Sequence, residues 1–170
     1  MTVEAMAATP KVSPWYDISF QHASGPLLRR MRRFGDTDSF LELIRGVRER
    51  QPEAGIRSNV ILGFPGETEE DFAETLRVAE RARFAAAFTF QYSIRPGTPA
   101  ATMPDQIAKP VVQERYERLV ELVNETAWQE NLAQVGTDVE VMFADGEGRK
   151  DEQTQRMSGR ARDNRLVHVS

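Results

Sequence analysis

The sequence predicts an α/β fold followed by a small all-β region. Strand-like segments alternate with amphipathic helix-like segments between residues 15 and 135, as in parallel strands joined by crossover helices. After Gly136 the helical periodicity stops, and short alternating segments predict β-strands. We therefore expect a disordered lead-in at 1–14, an α/β region at 15–135 and a β region at 136–170.

The first half of the α/β region is predicted to contain one strand and two helices. Trp15–Gln21 alternates between polar and apolar residues, as a strand does. Pro26 opens a helix, because proline suits the first helical position, and Gly35 ends it. Asp36 caps a longer helix that continues to Arg50.

The segment RSNVILGFPGETEEDF, residues 57–72, is the most informative part of the chain. Its apolar, β-branched start at 58–62 predicts a strand that is buried on both faces. Gly63 and Gly66 supply backbone freedom, and Pro65 fixes the turn between them. Because α/β folds bind ligands at the carboxyl ends of parallel strands, this turn is a candidate small-molecule site.

The acidic start of the next helix limits the kinds of ligand that the turn could bind. Thr68 occupies an N-cap position, and Asp71 lies three residues later, as in a capping box. The turn lacks the Gly-Lys-Ser/Thr ending of a P-loop. The nearby carboxylates disfavour a second anion, so a neutral or cationic ligand fits better. The alternative is an ordinary strand-to-helix turn without a ligand.

The remaining elements follow from the same patterns. A third strand is predicted at 85–92, a rigid turn at 95–99 and a long helix at 110–134. Three parallel strands are too few for a stable two-sided sheet, so we expect exposed apolar surface and either aggregation or a partner. The β region is predicted to hold three short strands, at 138–143, 157–161 and 166–169.

Composition excludes several classes of function. The net charge of −4 argues against bulk electrostatic binding of nucleic acid, although a local basic patch is compatible with it. The chain has no cysteine, which excludes disulfides, thiolate catalysis and an iron–sulfur cluster held by this chain. No apolar run is long enough to span a membrane, and residues 1–14 do not look like a signal peptide, so the predicted location is cytoplasmic.

Several motifs together resemble those of the radical SAM methylthiotransferases. The resemblance covers residues 15–170 and implies that 15–135 form the last three strands and helices of a partial radical SAM (β/α) barrel. It also implies that 136–170 form a TRAM domain, a small β-barrel that contacts the substrate, often RNA. The family's cofactors are S-adenosyl-L-methionine (SAM) and 4Fe-4S clusters. The motifs are FQHASGPLLRRMRR, GFPGETEEDF, YSIRPGTPAATMPDQ and GRARDNRLVHV.

Different segments of the chain resemble two branches of this family. DISFQHAS resembles the branch that methylthiolates an aspartate of a ribosomal protein. From Phe84 onward, the chain resembles the branch that modifies an isopentenylated adenosine of tRNA beside the anticodon. We interpret the chain either as a mosaic joined near GFPGETEEDF or as a divergent member with mixed signatures.

The family's cluster cysteines have no counterpart in these residues. The resemblance therefore implies an enzyme portion that is inactive alone and needs an N-terminal half from elsewhere. It assigns no catalytic residue and no metal ligand to this chain. Two alternatives stay open: a stand-alone RNA-binding TRAM module, and a non-functional truncated or mosaic product.

The resemblance also implies a set of SAM-facing residues. Gln21 and His22 follow the first strand, although His22 would also fit a hydrogen-bonded turn. Arg57 is expected to face the barrel interior and meet a carboxylate, or else to be a surface charge at a strand end. The turn contributes Gly63, Phe64 and Pro65 to the same predicted site.

Basic residues of the β region are the candidate RNA contacts. They would position RNA through its phosphates. Acidic residues are interspersed among them, so a solvated charged surface is the alternative. The candidates are Arg149, Lys150, Arg156, Arg160, Arg162 and Arg165.

Overall fold

The computed structural model describes residues 3–143 and 156–169. These residues form two three-stranded sheets and five α-helices. Within them, no helix has the length and apolarity needed to cross a membrane. The strands are β1 (Trp15–Asp17), β2 (Gly55–Leu62), β3 (Ala86–Gln91), β4 (Val141–Phe143), β5 (Met157–Ala161) and β6 (Leu166–Val169). The helices are α1 (Val3–Ala7), α2 (Gly25–Arg30), α3 (Thr37–Arg50), α4 (Glu69–Ala82) and α5 (Lys109–Leu132).

The first sheet is parallel and has the order β1-β2-β3, which confirms the predicted alternation of strands and helices. β1 is shorter than the predicted strand at 15–21. A single bridge between Gln21 and Val60 resumes the pairing beyond it. Because all three strands are parallel, their carboxyl ends lie at one edge of the sheet.

Helices cover only one face of this sheet. Ile56, Val60 and Leu62 of β2 point into the core, where they join Phe72 of α4 and Leu119 of α5. The alternate residues of β2 are half-buried on the opposite face, so the prediction of a strand buried on both faces is wrong. No described helix covers that second face, and the β-hairpin at 157–169 reaches only the end of it near Gly55.

We call this second side of the parallel sheet the uncovered face. It carries Asp17, Arg57 and Asn59, together with Phe88 and Phe90 of β3. The two phenylalanines are 48% and 52% exposed, as expected for apolar surface that lacks a partner.

The predicted disorder at 1–14 is wrong for the start of the chain. Residues Val3–Ala7 form α1, which packs against α3. Val3 and Met6 lie three residues apart on one helical face and contact the core, and Glu4 pairs with Arg50 at 3.4 Å. Apolar burial therefore stabilises a short helix that composition alone does not predict.

Side-chain caps fix where the helices begin. The hydroxyl of Ser24 accepts the backbone N–H of Leu27 at the start of α2. Asp36 caps α3, and Thr68 caps α4 in a capping box with Asp71, as predicted. α2 ends at Arg30, earlier than predicted from the position of Gly35.

The second sheet is antiparallel and has the order β4-β5-β6. Its described strands do not close into a barrel. The turn between β5 and β6 contacts the α/β region, because a β-carbon at Gly55 would overlap the backbone oxygen of Asp163. Arg165 also donates a hydrogen bond of 3.1 Å to the backbone oxygen of Glu130 in α5.

Candidate functional site

The carboxyl edge of the parallel sheet brings three loop segments together. Residues 21–24 follow β1, residues 63–67 follow β2 and residues 92–94 follow β3. Backbone hydrogen bonds join them, since Ile61 donates to the oxygen of Gln21 and Tyr92 donates to the oxygen of Leu62. This is the edge where parallel α/β sheets bind ligands.

Two glycines shape the turn after β2. Gly63 has φ of +78° and Gly66 has φ of +82°, conformations that L side chains rarely adopt. A β-carbon on Gly63 would lie 2.8 Å from Cγ1 of Val112 in α5. A β-carbon on Gly66 would overlap the guanidinium of Arg30. The prediction that these positions need glycine is confirmed for both.

A buried carboxylate holds this turn in place. Oε2 of Glu67 accepts the backbone N–H of Gly63 at 2.8 Å. Oε1 of Glu67 accepts a hydrogen bond of 2.7 Å from Nη1 of Arg115 in α5. Glu67 is 3% exposed and Arg115 is 5% exposed, so the pair lies out of water. The carboxylate therefore connects the turn to α5.

His22 completes this buried network. Its Nδ1 accepts the backbone N–H of Ser24 at 3.1 Å, so the proton of the neutral ring lies on Nε2. Nε2 faces Oε2 of Glu67 at 3.5 Å, and the hydroxyl of Thr75 lies 3.3 Å from the same nitrogen. The ring is 1% exposed and does not reach the open edge. This geometry matches the hydrogen-bonded turn residue rather than a contact to SAM.

Asp71 ties the start of α4 to the start of α2. It accepts hydrogen bonds from the Ser24 hydroxyl and from the Thr68 backbone N–H. Partial burial favours a higher pKa for Asp71, but these hydrogen bonds outweigh it and hold the pKa below its ordinary value of 3.8.

Asp71 should therefore contribute to acid sensitivity. A carboxylate with a lowered folded-state pKa stabilises the fold fully above about pH 5, and this contribution is lost as the pH falls through the folded pKa. Asp71→Asn should show a smaller loss of unfolding free energy between pH 6 and pH 3 than the unchanged chain, measured by urea denaturation. Glu70→Gln is the control, because Glu70 is exposed and makes no ion pair with a described residue. Equal pH dependence in both variants would contradict this role.

The other predicted residues of the turn differ in accessibility. Pro65 is fully buried, so its ring is not available to a ligand. Phe64 is half-buried and meets the ring of Tyr92 edge-on, with 5.4 Å between the centroids. Gln21 is half-buried and has φ of +70°, a strained conformation for glutamine. Phe64 and Gln21 are therefore the predicted side chains that the edge still presents.

Arg57 lies on the uncovered face and forms an ion pair with Asp17 of β1, and its role in binding SAM stays a prediction. Its guanidinium carbon also lies 5.1 Å from the centroid of the Phe88 ring. Next to this pair, Nδ2 of Asn59 donates to Oγ of Ser19 at 3.0 Å. The uncovered face thus carries an ordered row of polar groups.

The predicted RNA contacts of the β region separate into three groups. Arg149 and Lys150 lie outside the described residues. Arg165 pairs with Asp163 at 3.0 Å and Arg160 donates to the Asn164 backbone oxygen at 3.0 Å, so both bind their own hairpin. The exposed candidates that make no such contact in the described part are Arg156 and Arg162.

The Glu67–Arg115 pair and Asn59 were not predicted from the sequence. Glu67 and Arg115 are 48 residues apart, and no local pattern relates them. Asp17 and Ser19 in the predicted strand at 15–21 are spaced two apart, as are Arg57 and Asn59 in the next strand. This spacing would have predicted one polar face.

The residues present do not fit an iron–sulfur cluster. The chain has no cysteine, and the described ranges contain no group of three or more His, Asp or Glu residues arranged to hold a metal ion. Cluster irons in proteins are bound chiefly by cysteine thiolates. The chain can therefore contribute to cofactor binding only beside the cluster.

Comparison with known proteins identifies the family. The sequence model of the Radical SAM superfamily matches residues 2–79. A tRNA-2-methylthio-N(6)-dimethylallyladenosine synthase of Cutibacterium acnes is 64% identical over 168 residues, which cover 99% of this chain and 34% of that protein. Proteins of the same name from Mycobacteroides abscessus and Streptomyces coelicolor are each 57% identical to this chain. The two matched regions cover 98% and 99% of this chain, respectively, and 33% of each relative.

The matches run through both halves of the sequence, so these relatives give no support to a ribosomal-protein origin for the first half. The chain spans about a third of the length of the curated relatives it matches. Its similarity to them extends over almost every residue it contains. The chain belongs to the radical SAM methylthiotransferase family.

Proposed function

We propose that this chain forms one wall of the SAM pocket in an enzyme that transfers a methylthio group to an adenosine of tRNA. The observation that carries this proposal is the turn at residues 63–67, which the buried Glu67–Arg115 pair fixes at the carboxyl edge of the parallel sheet. A turn fixed in this way presents backbone and aromatic groups in one orientation, which lowers the cost of ordering them around a ligand.

Two side chains of this edge are the proposed SAM contacts. Phe64 offers a partly exposed ring to stack on an adenine, and Gln21 offers an amide for hydrogen bonding. Pro65 and His22 are buried behind these two side chains. His22 supports the edge through its hydrogen bond with Ser24. When bound, SAM supplies the radical and methyl chemistry of the family. The uncovered face, with Arg57 and Asn59, would line the space beneath it.

Cluster ligands must come from polypeptide outside these 170 residues, because none of these residues is cysteine. We therefore propose that the chain alone is catalytically inactive and that a cysteine-bearing half completes the pocket. The exposed phenylalanines of the uncovered face support this, since they leave apolar surface for further barrel elements to cover.

We also propose that residues 136–170 belong to a TRAM domain and that residues 15–135 belong to the barrel. Support comes from the antiparallel sheet β4-β5-β6 that follows α5 and from the exposed Arg156 and Arg162. The names of the relatives specify tRNA as their substrate, and we extend that to this chain. The ribosomal-protein aspartate is the competing substrate, because of the DISFQHAS segment.

Complementation tests this proposal. The chain would be co-expressed with the cysteine-bearing N-terminal half of a relative, in a bacterial strain that lacks its tRNA methylthiotransferase. We expect methylthioadenosine to reappear in tRNA hydrolysates, measured by mass spectrometry, only when both halves are present. The chain alone is the control.

Two results would contradict the proposal in different ways. Methylthioaspartate in ribosomal protein digests, without methylthioadenosine in tRNA, would show that the substrate is a ribosomal protein and not tRNA. No modification of either molecule, with both halves present and soluble, would overturn the enzyme assignment.

A further inference from the structure

The segment RRMRRF, residues 29–34, concentrates positive charge in a chain whose net charge is −4. It holds four arginines within five residues, and all four are exposed. Phe34 ends the segment and is 94% exposed, more than any other large hydrophobic residue that the structure describes. We call residues 29–34 the basic segment.

The arginines of the basic segment differ in their ion pairing from arginines on neighbouring helices. None of them has a carboxylate partner within the described ranges. By contrast, Arg45, Arg50 and Arg77 on neighbouring helices each pair with an acidic residue. Asp36 lies near Arg29, but its carboxylate is held by the Ser39 backbone N–H at 2.8 Å. Among the described residues, the positive charge of the segment is therefore offset only in part, by the attraction between Arg29 and Asp36.

The backbone at Arg32 gives a second, independent observation. Arg32 has φ of +57°, and it lies just beyond the end of α2, where a helix usually has glycine. A non-glycine residue in this conformation carries a backbone cost. A strained residue that keeps a long charged side chain at an exposed position points to a role for that side chain.

The basic segment adjoins the candidate site. α2 begins at Gly25, directly after the loop that follows β1 at the carboxyl edge. The guanidinium of Arg30 packs against Gly66 of the turn after β2. A macromolecule bound to the basic segment would therefore lie beside the proposed SAM pocket.

We propose that residues 29–34 form an RNA-binding surface of the α/β region, with arginines on phosphates and Phe34 stacked on an unpaired base. Arginine pairs with phosphate through a planar fork of donors, and an exposed aromatic ring is a stacking platform for single-stranded bases. The inference rests on the proposed function only for the identity of the RNA as tRNA. It adds a contact surface separate from the β region.

Fluorescence anisotropy with a synthetic anticodon stem-loop RNA, titrated at several salt concentrations, tests the surface on the full chain. The variant Arg29→Gln/Arg32→Gln/Arg33→Gln should weaken binding by about tenfold or more. It should also make the negative slope of log K against log salt shallower by about 3. It leaves Arg30 in place against Gly66. The matched control is Arg45→Gln/Arg50→Gln/Arg77→Gln, which removes the same charge from ion-paired positions and should bind almost as the unchanged chain does.

Two single variants separate binding from folding. Phe34→Ala should weaken binding roughly tenfold without lowering the melting temperature, because the ring is exposed. Arg32→Gly should weaken RNA binding while it leaves the melting temperature unchanged or raises it, because glycine relieves the backbone strain. A purely structural role for the segment would move stability and binding in the same direction.

Each contrary outcome is decisive for the surface. Equal RNA affinity in the basic-segment and control variants would overturn it, as would the absence of RNA binding by the unchanged chain. Segment-dependent binding to phosphatidylglycerol vesicles without RNA binding would replace it with a membrane surface. The complementation experiment reads tRNA modification separately, so the proposed function can stand or fail by itself.

Discussion

Replacing Arg115 by methionine should lower the free energy of unfolding by about 3–5 kcal/mol. Methionine fills much of the same volume but leaves the Glu67 carboxylate, which is 3% exposed, without its charged partner. A buried charge without a partner costs more than the pair contributes. Urea denaturation followed by circular dichroism measures the change.

Two further variants isolate the cause. Arg118 also lies on α5, but it forms its ion pairs, with Glu69 of α4 and Glu114 of α5, at the surface. Arg118→Met should therefore lower the free energy of unfolding by less than about 1 kcal/mol. The double variant Glu67→Gln/Arg115→Met removes both charges and should be more stable than Arg115→Met alone. If Arg115→Met cost no more than Arg118→Met, the buried pair would not be what holds the turn.

Gly63→Ala should destabilise the fold by about 2–5 kcal/mol. One part, about 1–2 kcal/mol, comes from forcing alanine into a positive φ. The other part, about 1–3 kcal/mol, comes from overpacking against Val112. The same denaturation experiment measures the sum.

The chain offers a matched control for each part. Gly97 also has a positive φ, +84°, but a β-carbon there would meet no atom within 4 Å. Gly97→Ala should therefore show only the backbone cost. Gly63→Ala should cost less unfolding free energy when it is introduced into Val112→Ala than when it is introduced into the unchanged chain, because Val112→Ala removes the atoms that the new β-carbon would overlap. Equal losses for Gly63→Ala and Gly97→Ala would contradict the proposed packing of α5 on the turn.

Local chemistry explains why most elements could be predicted. The capping boxes at Asp36 and Thr68 and the positive-φ glycines of the turn depend on residues close in sequence. The strand boundaries at 157–161 and 166–169 likewise follow from local alternation. α1 was not predicted, because burial against α3 rather than helix propensity stabilises it.

The candidate site was predicted less completely than the elements. Arg57 was expected to face the barrel interior, and in the structure its guanidinium pairs with Asp17 of the neighbouring strand. His22 is buried and matches the alternative interpretation of a hydrogen-bonded turn residue, and Pro65, which was expected to face a cofactor, is also buried. Sequence position predicted that these residues lie at the carboxyl edge. Whether a side chain is available to a ligand or packs behind the turn depends on its direction, which the sequence does not show.

The sequence by itself determined the order of strands and helices after α1, the turn at residues 63–66 and the absence of cluster ligands, because these depend on residue type and local spacing. Tertiary structure alone decided that Glu67 and Arg115 meet, that one sheet face is uncovered, and that the basic segment adjoins the turn. Contacts between residues distant in sequence depend on how helices pack across the sheet. No single segment contains that information.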